Sequence, residues 1–523
     1  MISSAGSRNS AVSPRSKAAA AAVAVALALV GAGAAAFVHR NGWTLYYGDA
    51  EAHLNIARRL VDSRTPGVHQ IGTVWLPLPH LLAAPLARGG GLWQSGLAGA
   101  APSVAAFTLA GLMLFLTLRR LANSRAAALA GTAVCALNPN LLYLQAAPMT
   151  EPLALACLFG LLHSLARFHA SQRTRDALAA GLWTMAGTLT RYELWFLAPF
   201  AALYILWRGG ETRWRSMAAC CAPAAAGPLW WLAHNWWFYG DALEFWRGEW
   251  SARAIYQRQL ESGMARYPGD GHWGLAARYY LEAARLCCGL PLFWISLAGL
   301  PAALKRFAAA AVFVLLVPLF YVLSLHSSGT PIFVPHLWPF SYYNTRYAIA
   351  WLAVAALGTA ALVALAPRRW KPCAALALVV ASAWPWVRDP HPDAWICWKE
   401  SEVNSVSRRR LAREAAEYLE PRYRAGAGIL LSFGDLTAVL RLARIPIRES
   451  LHGDDRLPFE AAVARPDLFL GEEWVLCNSG DRACRAVARL QRGPRRYECV
   501  RMLAAKDAPG IEIWRRVGAF VEP

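Results

Sequence analysis

Residues 46–60 have the sequence YYGDAEAHLNIARRL and directly follow the first long apolar run of the chain, residues 18–37. Asp49 and Glu51 are two residues apart, and His53 follows two residues later. Ionisable groups are costly to hold near hydrocarbon, so an acidic cluster at the end of a membrane-spanning run usually marks a functional site. We therefore expect other helices to bring their polar ends to this cluster.

The composition is typical of a multi-pass membrane protein. Of the 523 residues, 56% are hydrophobic and only 16% are charged, with a mean hydropathy of +0.29. A soluble chain of this length would need a more highly charged surface. The net charge of +20 would suggest nucleic acid in a soluble protein, but here the arginines and lysines cluster in short loops between apolar runs. We expect contacts with membrane lipid and no nucleic-acid partner.

Hydropathy predicts an α-helical polytopic protein with about eleven transmembrane helices, since roughly 20 apolar residues cross a bilayer. The expected spans are residues 18–37, 96–118, 126–145, 150–168, 177–191, 194–207, 216–238, 281–304, 307–325, 346–366 and 371–387. They define a transmembrane domain over residues 1–390 with two outer loops, 38–95 and 239–280. In the first loop, residues 49–61 have a helical pattern that predicts a helix lying on the membrane surface.

Positive charge orients these spans. Five basic loops fall on the side of the N-terminus, at residues 119–125, 167–175, 208–215, 305–306 and 368–371. Lysine and arginine are enriched in cytoplasmic loops, so we predict an inner (plasma) membrane protein with a cytoplasmic N-terminus. A signal peptide cleaved near residues 34–36 is an open alternative for the first run, and it leaves the remaining topology unchanged.

The opposite, outer side receives a different set of residues. Acidic, aromatic and basic side chains lie there near the ends of predicted spans: Asp49, Glu51, His53, Glu151, Arg191, Tyr192, Glu193, His234 and Arg346. Each residue taken alone is more simply explained as a solvated helix end. The set as a whole, flanked by aromatic residues, predicts one shared cavity.

The pattern changes after the last predicted span, where the charge content rises. Three short apolar runs predict strands, at residues 428–433, 474–477 and 511–514. Three other segments predict helices, at residues 405–420, 435–442 and 481–490. We expect a small soluble α/β domain over residues 395–523. An odd number of spans places this domain outside the membrane, in an extracytoplasmic position.

Four cysteines fall in this C-terminal part: Cys397, Cys477, Cys484 and Cys499. Disulfides persist in extracytoplasmic compartments, so one or two bridges are expected there. The sequence leaves their pairing open.

These residue types can support the transfer of a sugar from a lipid phosphate. An aspartate near the membrane surface can accept the proton of an acceptor hydroxyl or amine. A second carboxylate two residues further on can orient the first or help it to hold a divalent metal cation. An arginine offers paired donors to a departing phosphate.

The order of these features resembles the GT-C superfamily of membrane glycosyltransferases. It is most similar to the bacterial branch near protein O-mannosyltransferases and lipid A aminoarabinose transferases. The pieces that carry the resemblance are residues 48–53, 138–140, 148–152, 190–193 and 344–347. It implies a GT-C-like fold and transfer of a sugar from a polyprenyl-phosphate donor to an unidentified acceptor on the outer face, with inversion at the anomeric carbon.

The resemblance also implies roles for individual residues. Asp49 is the expected base, Glu51 its catalytic partner or a metal ligand, and Arg346 the group that faces the donor phosphate. The remaining substrate-binding candidates are His53, Glu151, Arg191, Tyr192, Glu193 and His234. Because some relatives depend on a metal and others do not, a divalent cation at Asp49 and Glu51 stays open.

Two other functions compete with this hypothesis. A carrier or flippase for a lipid-linked or anionic solute would share the many spans and the basic cavity. The sequence shows no internal repeat, and the acids are confined to one membrane face, whereas carriers bind near the midplane. A membrane-anchored scaffold acting through its C-terminal domain would leave the polar span ends without a role.

Overall fold

The computed structural model describes residues 14–327, 330–432, 436–491, 496–506 and 508–517. Over these residues the protein is mostly helical, and a small sheet domain follows the last apolar helices. The polar N-terminal segment before residue 14 lies outside the described residues. So do the end of the predicted strand 428–433 and the start of the predicted helix 435–442.

Several helices are suited to a membrane. Five are long and apolar enough to cross it: Lys17–Arg40, Leu97–Ala122, Glu151–Ser171, Ala308–His326 and Thr345–Leu365. A sixth span arises if Trp273–Cys288 and Leu290–Arg306, which meet at a bend of 116°, cross together. These helices make the chain a multi-pass membrane protein. The described residues contain five or six such spans, which does not confirm the predicted eleven.

The other predicted spans coincide with helices that are shorter, broken or less apolar. These helices are Arg125–Ala136, Pro139–Leu144, Thr174–Thr188, Leu197–Arg208, Arg213–Tyr239 and Lys371–Arg388. Proline explains one of the breaks, because Pro139 lacks the N–H that would continue the preceding helix. A new helix starts there, capped by Asn138, whose side chain accepts hydrogen bonds from the backbone of Asn140 and Leu141.

Shorter elements connect these spans, open them or lie outside them. The α-helices among them are Gly48–Arg59, Leu78–Ala87, Gly90–Ser95, Glu244–Arg247, Ala252–Glu261, Ile396–Val403, Val406–Leu419, Thr437–Leu442, Leu457–Ala464, Pro466–Phe469 and Arg482–Ala488. The 3₁₀ helices are Val68–Ile71, Tyr192–Leu194, Gly210–Thr212, Thr345–Ala350, Pro392–Ala394, Ile447–Glu449 and Gly453–Asp455.

The helix Gly48–Arg59, called the acidic helix below, is buried inside the protein. Its Leu54 and Ala57 pack against Ala83 and Ala87 of one helix and against Ile447 of the C-terminal part. The predicted helix is therefore present, but the prediction that it lies on the membrane surface is wrong. The apolar face that the sequence pattern shows is covered by other parts of the protein, the helix Leu78–Ala87 and Ile447 of the C-terminal part.

A mixed sheet organises the C-terminal part. Its strands are β1 (Ile429–Leu431), β2 (Ser450–His452), β3 (Trp474–Asn478), β4 (Arg496–Ala505) and β5 (Ala508–Val517), in the order β2-β1-β3-β5-β4. β1 pairs parallel with β2 and β3, whereas β5 pairs antiparallel with β3 and β4. Three of the strands, β1, β3 and β5, were predicted from their apolar runs. β2 was not predicted because Ser450 and His452 leave it a single apolar residue, and β4 was not predicted because most of its residues are exposed and several are charged.

Helices cover both faces of this sheet. Ile429 and Leu431 of β1 pack on the helix Val406–Leu419, and Leu430 between them faces the opposite layer. The alternation follows from the two-residue period of a strand. Cys477 and Cys484 form a disulfide, whereas Cys397 and Cys499 are free cysteines.

Candidate functional site

Asp49 and Arg346 meet although they are distant in sequence. Asp49 lies in the first turn of the acidic helix, and Arg346 lies in the 3₁₀ helix Thr345–Ala350 that opens a long apolar helix. The Arg346 guanidinium donates a hydrogen bond to Asp49 Oδ2 and forms an ion pair with it. Two residues that the sequence places at the same membrane face are thus in direct contact.

Glu151 lies between two arginines. Its Oε1 accepts from Arg346 Nε at 3.1 Å and from Arg191 Nη1 at 3.0 Å. Glu151 is the first residue of its helix, where the helix dipole favours a negative charge. Its Oε2 is buried and has no hydrogen-bond partner among the described residues, so this oxygen is available to a ligand.

Arg191 is held on every side of its guanidinium. Besides Glu151, it donates to Glu193 Oε1 at 2.5 Å, Thr150 Oγ1 at 2.8 Å and the Tyr321 hydroxyl at 2.9 Å. The Tyr321 hydroxyl in turn donates to Glu193 Oε1 at 2.7 Å. This closed set of contacts fixes Arg191, and it extends the ion cluster from Asp49 through Arg346 and Glu151.

Tyrosine rings pack against both guanidinium groups. The Tyr347 ring centroid lies 5.0 Å from Arg346 Cζ and 5.2 Å from Arg191 Cζ. The Tyr47 ring lies 5.2 Å from Arg346 Cζ. Cation–π contacts stabilise the charges without using their N–H donors. The rings therefore hold the arginines in place while leaving their edges to carboxylates or a ligand.

Glu400 is a member of this cluster that the sequence analysis missed. Its carboxylate accepts from the backbone N–H groups of Asn344 and Thr345, at 2.9 and 2.7 Å, and lies 3.7 Å from Arg346 Nη1. Asn344 has a φ of +54°, a left-handed conformation that asparagine tolerates better than most residues. Nothing in the charged segment around Glu400 distinguishes it from its neighbours, so no sequence signal could have found it.

Burial and hydrogen bonding have opposite effects on the pKa of the Glu400 carboxyl group. Burial raises its pKa above the usual value, although the Arg346 charge, the Thr345 hydroxyl and the backbone N–H groups of Asn344 and Thr345 oppose the shift. The carboxylate shapes the turn that presents Arg346. It is therefore a structural neighbour of the site rather than part of the cavity wall.

A cavity lies against the ion cluster. Its polar lining comes from Glu151, Arg191, Glu193, Tyr321 and Arg346, and its apolar lining from Leu155, Leu158, Leu194, Val317 and Ile349. Polar groups converging on a largely apolar wall are typical of sites that bind small molecules. Four of the predicted substrate-binding residues thus line one cavity.

The site holds Asp49 as a carboxylate. Burial alone would raise the pKa of Asp49, but the positive charge of Arg346, and to a smaller extent that of Arg191, lowers the pKa below its usual value. The Asp49 side chain is 35% exposed, so a second molecule can reach it. At neutral pH it is ionised and able to accept a proton, although its pairing with Arg346 makes it a weak base.

Glu51 faces away from this cluster. Its two oxygens accept from Arg441 Nε at 2.7 Å and Arg441 Nη2 at 2.9 Å, so its partner belongs to the C-terminal domain. Successive residues of a helix are rotated by about 100°, which puts Asp49 and Glu51 on nearly opposite sides. The two acids do not converge on one partner.

The predicted metal pair does not fit a shared cation well. Asp49 and Glu51 each already pair with a different arginine. Within the described residues, one group of three His, Cys, Asp or Glu side chains is close enough to share a metal, namely Cys477, Asp481 and Cys484. Two of these are joined in the disulfide, so they lack free thiolates.

His53 lies beside the ion cluster but binds elsewhere. Its Nδ1 is 2.9 Å from His80 Nε2, and its ring packs on Trp75. Burial is the main cause that lowers the pKa of His53, to about 4, so the ring is neutral at pH 7. Both histidines line a second cavity, otherwise formed mainly by apolar residues including Pro102 and Met149.

Tyr192 and His234 lie in an aromatic cluster apart from the ion pairs. The Tyr192 hydroxyl donates to Val74 O at 2.8 Å and accepts from Trp231 Nε1 at 3.0 Å. The His234 ring stacks on Trp231, and its Nε2 is 3.1 Å from Gly72 O. In this structure both residues anchor the first outer loop. Substrate binding by them stays a prediction.

The chain has a GT-C-like fold, as the sequence resemblance predicts. Residues 92–237 match a family model described as dolichyl-phosphate-mannose-protein mannosyltransferase. ArnT from Cupriavidus metallidurans, solved bound to undecaprenyl phosphate, aligns over 92% of this chain and 97% of its own, with 14% identity and a TM-score of 0.55.

A second solved structure is more distant. The oligosaccharyltransferase of Archaeoglobus fulgidus aligns over 88% of this chain and 69% of its own, with 12% identity and a TM-score of 0.47. That score is too low to support an argument. Comparison with curated protein sequences gives no match.

Proposed function

We propose that this chain is an integral-membrane glycosyltransferase that moves a sugar from a polyprenyl-phosphate donor to an acceptor on the outer face of the membrane. The observation that carries the proposal is the buried ion cluster in which Arg346 joins Asp49 and Glu151 beside a largely apolar cavity. Such a wall suits a ligand with an anionic head and an apolar tail. The fold shared with ArnT, whose structure holds undecaprenyl phosphate, supports the same donor class.

The donor phosphate binds at Arg346 in this proposal. In the structure, Arg346 donates to Asp49 with one nitrogen and to Glu151 with another. A phosphate oxygen competes with Asp49 for the same guanidinium edge, because arginine pairs well with either anion. Once the phosphate neutralises Arg346, the influence that lowers the pKa of Asp49 weakens. Donor binding thus turns a weak base into a stronger one.

Asp49 then takes the proton of the acceptor hydroxyl or amine. The acceptor atom forms a bond to the anomeric carbon, and the bond between that carbon and the donor phosphate oxygen breaks. The electron pair stays on the phosphate, where the Arg346 guanidinium stabilises the added charge. The proton stays on Asp49 until it is released to water. One displacement of this kind inverts the anomeric carbon, as the resemblance implies.

Two observations support an extracytoplasmic site. The basic loops of the sequence fall on the opposite side from Asp49 in the predicted topology. The disulfide between Cys477 and Cys484 lies in the same C-terminal domain that contacts the acidic helix through Arg441. Disulfides persist mainly outside the cytosol.

A transfer assay on the purified full chain in lipid nanodiscs tests the proposal. The donors are undecaprenyl phosphates carrying different radiolabelled sugars, and an envelope extract supplies acceptors. Label entering a covalent product is the expected result. The Asp49→Asn variant should lose about 100-fold or more in kcat, the usual contribution of a positioned base. Asp389→Asn, an exposed acid far along the chain, is the matched control and should match wild type.

Full turnover by Asp49→Asn would count against Asp49 as the base. If no donor gives a covalent product, yet labelled lipid crosses the bilayer of vesicles containing the protein, the carrier hypothesis replaces the transferase.

A further inference from the structure

We propose that Arg441, in the C-terminal domain, is a positioning residue that fixes Asp49 through Glu51. This inference rests on the proposed function, since it assigns Asp49 a role that its orientation can affect. It gives Glu51 a task other than catalysis or metal binding. It also makes the C-terminal domain a working part of the active site.

The acidic helix and the helix Thr437–Leu442 contact each other through two pairs of side chains. Thr437 and Arg441 are four residues apart on the helix Thr437–Leu442, and Glu51 and Asn55 are four residues apart on the acidic helix. Residues at this spacing share one helix face. The Asn55 side chain donates to Thr437 Oγ1 at 2.6 Å, while Arg441 donates twice to Glu51. Two paired contacts fix both the position and the rotation of the acidic helix.

The Glu51–Arg441 pair is largely shielded from solvent, and both side chains are hydrogen-bonded. The two side chains are 6% and 11% exposed. Arg441 Nη1 also donates to Gln94 O at 2.9 Å, and Asn55 Oδ1 accepts from Trp93 Nε1 at 2.9 Å. Removing one member of a buried pair leaves an uncompensated charge, and the surrounding structure shifts to solvate it. The pair therefore resists small movements more strongly than an exposed ion pair would.

The acidic helix is thus held between two arginines. Arg346 holds Asp49 from the membrane part, and Arg441 holds Glu51 from the C-terminal domain. Without Arg441, the first turn of the helix can roll about its axis, carrying Asp49 away from the reacting atoms. A misplacement of about 1 Å can cost roughly 100-fold in rate.

Other ion pairs hold the same domain without touching this turn. Arg64 pairs with Glu472 at 2.7 Å, and Arg448 pairs with Asp62 at 2.8 Å. Both contacts involve the segment after the acidic helix. These pairs provide a control that distinguishes two roles for Arg441, attaching the C-terminal domain and positioning the acidic helix. If Arg441 merely attached the domain, its substitution should have the same effect as that of Arg64.

The experiment compares Arg441→Gln with Arg64→Gln in the full chain. Hydrogen exchange over residues 48–59 reads the order of the acidic helix, and steady-state kinetics with the undecaprenyl-phosphate sugar reads its consequence. We expect faster exchange in Arg441→Gln, together with a fall in kcat of about 10- to 100-fold. The KM for the donor should stay within about twofold, since Arg346 is untouched. Arg441→Lys, which keeps the charge, should recover part of kcat, and Arg64→Gln should resemble wild type.

Three results would overturn the inference: unchanged exchange over residues 48–59 in Arg441→Gln, unchanged kcat, or an equal loss in Arg64→Gln. If the wild-type protein transfers no sugar from any donor, the proposed function fails instead. The exchange measurement then still decides whether Arg441 orders the acidic helix.

Discussion

At the scale of single residues, the site pairs its candidate base with its candidate phosphate-binding group. Asp49 and Arg346 neutralise each other in the structure, and Glu151 shares the same guanidinium. Their separate positions at span ends were enough to suggest a common location. The sequence could not show that Glu400 shapes the turn before Arg346, because a lone acid in a charged segment has no pattern. Nor could it show that Tyr321 bridges Arg191 and Glu193, since that contact depends on how helices pack.

Glu400 gives a prediction about stability. In Glu400→Gln the side chain keeps its shape but loses its charge toward Arg346, and its amide nitrogen cannot accept from Asn344 or Thr345. We expect the free energy of unfolding to fall by about 1–3 kcal/mol, the cost of leaving a buried donor unpaired. Thermal unfolding in detergent measures it. Glu402→Gln, at a partly exposed acid on the same helix, should change the midpoint little; an equal effect there would refute the role.

At the scale of elements, the acidic helix shows what a pattern can and cannot predict. Its apolar face was visible in the sequence, and so was its place just after the first apolar run. The identity of the covering surface was not, because Ile447 and Arg441 come from a domain nearly 400 positions later in the chain. A helical pattern with one apolar face fits a membrane surface and a protein surface equally well.

The histidine pair next to this helix predicts a pH effect. Burial is the largest cause that lowers the pKa of both rings, to about 4 for His53 and well below the usual value for His80, although Asp49 and Glu151 oppose the shift at His53. Histidine in an unfolded chain has a pKa of about 6.5, so below that pH the unfolded chain binds more protons than the folded one. Stability should therefore be highest above pH 7 and fall as the pH is lowered from 6.5 to 4.

Unfolding midpoints measured across this pH range test the effect. The double variant His53→Leu/His80→Leu should flatten the slope, while His391→Leu, at an exposed histidine, should leave it unchanged. The slope should not vanish, because burial also lowers the pKa of His452. A double variant with the wild-type slope would show that the pair does not titrate on unfolding.

At the scale of the whole molecule, the fold class follows from the sequence more firmly than the span count. Composition and hydropathy predict a helical membrane protein with a C-terminal sheet domain, and the structure confirms both. Breaks such as the one at Pro139 and the bend after Cys288 make the number of crossings ambiguous. The proposed domain limits and the orientation stay predictions.

Two exposed free cysteines can test the orientation. Cys499 lies in β4 of the C-terminal domain, and Cys373 lies at the start of the helix Lys371–Arg388, beside a basic loop. A maleimide that cannot cross membranes should label Cys499 in intact spheroplasts and Cys373 only after lysis. Cys499→Ser and Cys373→Ser identify the two signals. Labelling of Cys373 alone before lysis would reverse the predicted topology.

An experimental structure of the wild-type protein with undecaprenyl phosphate bound tests most directly whether Arg346 binds the donor phosphate. We expect a phosphate within hydrogen-bonding distance of the Arg346 guanidinium, with Asp49 displaced from that edge and the lipid tail against the apolar wall of the cavity. A phosphate bound away from Arg346, or on the side of the basic loops, would contradict it.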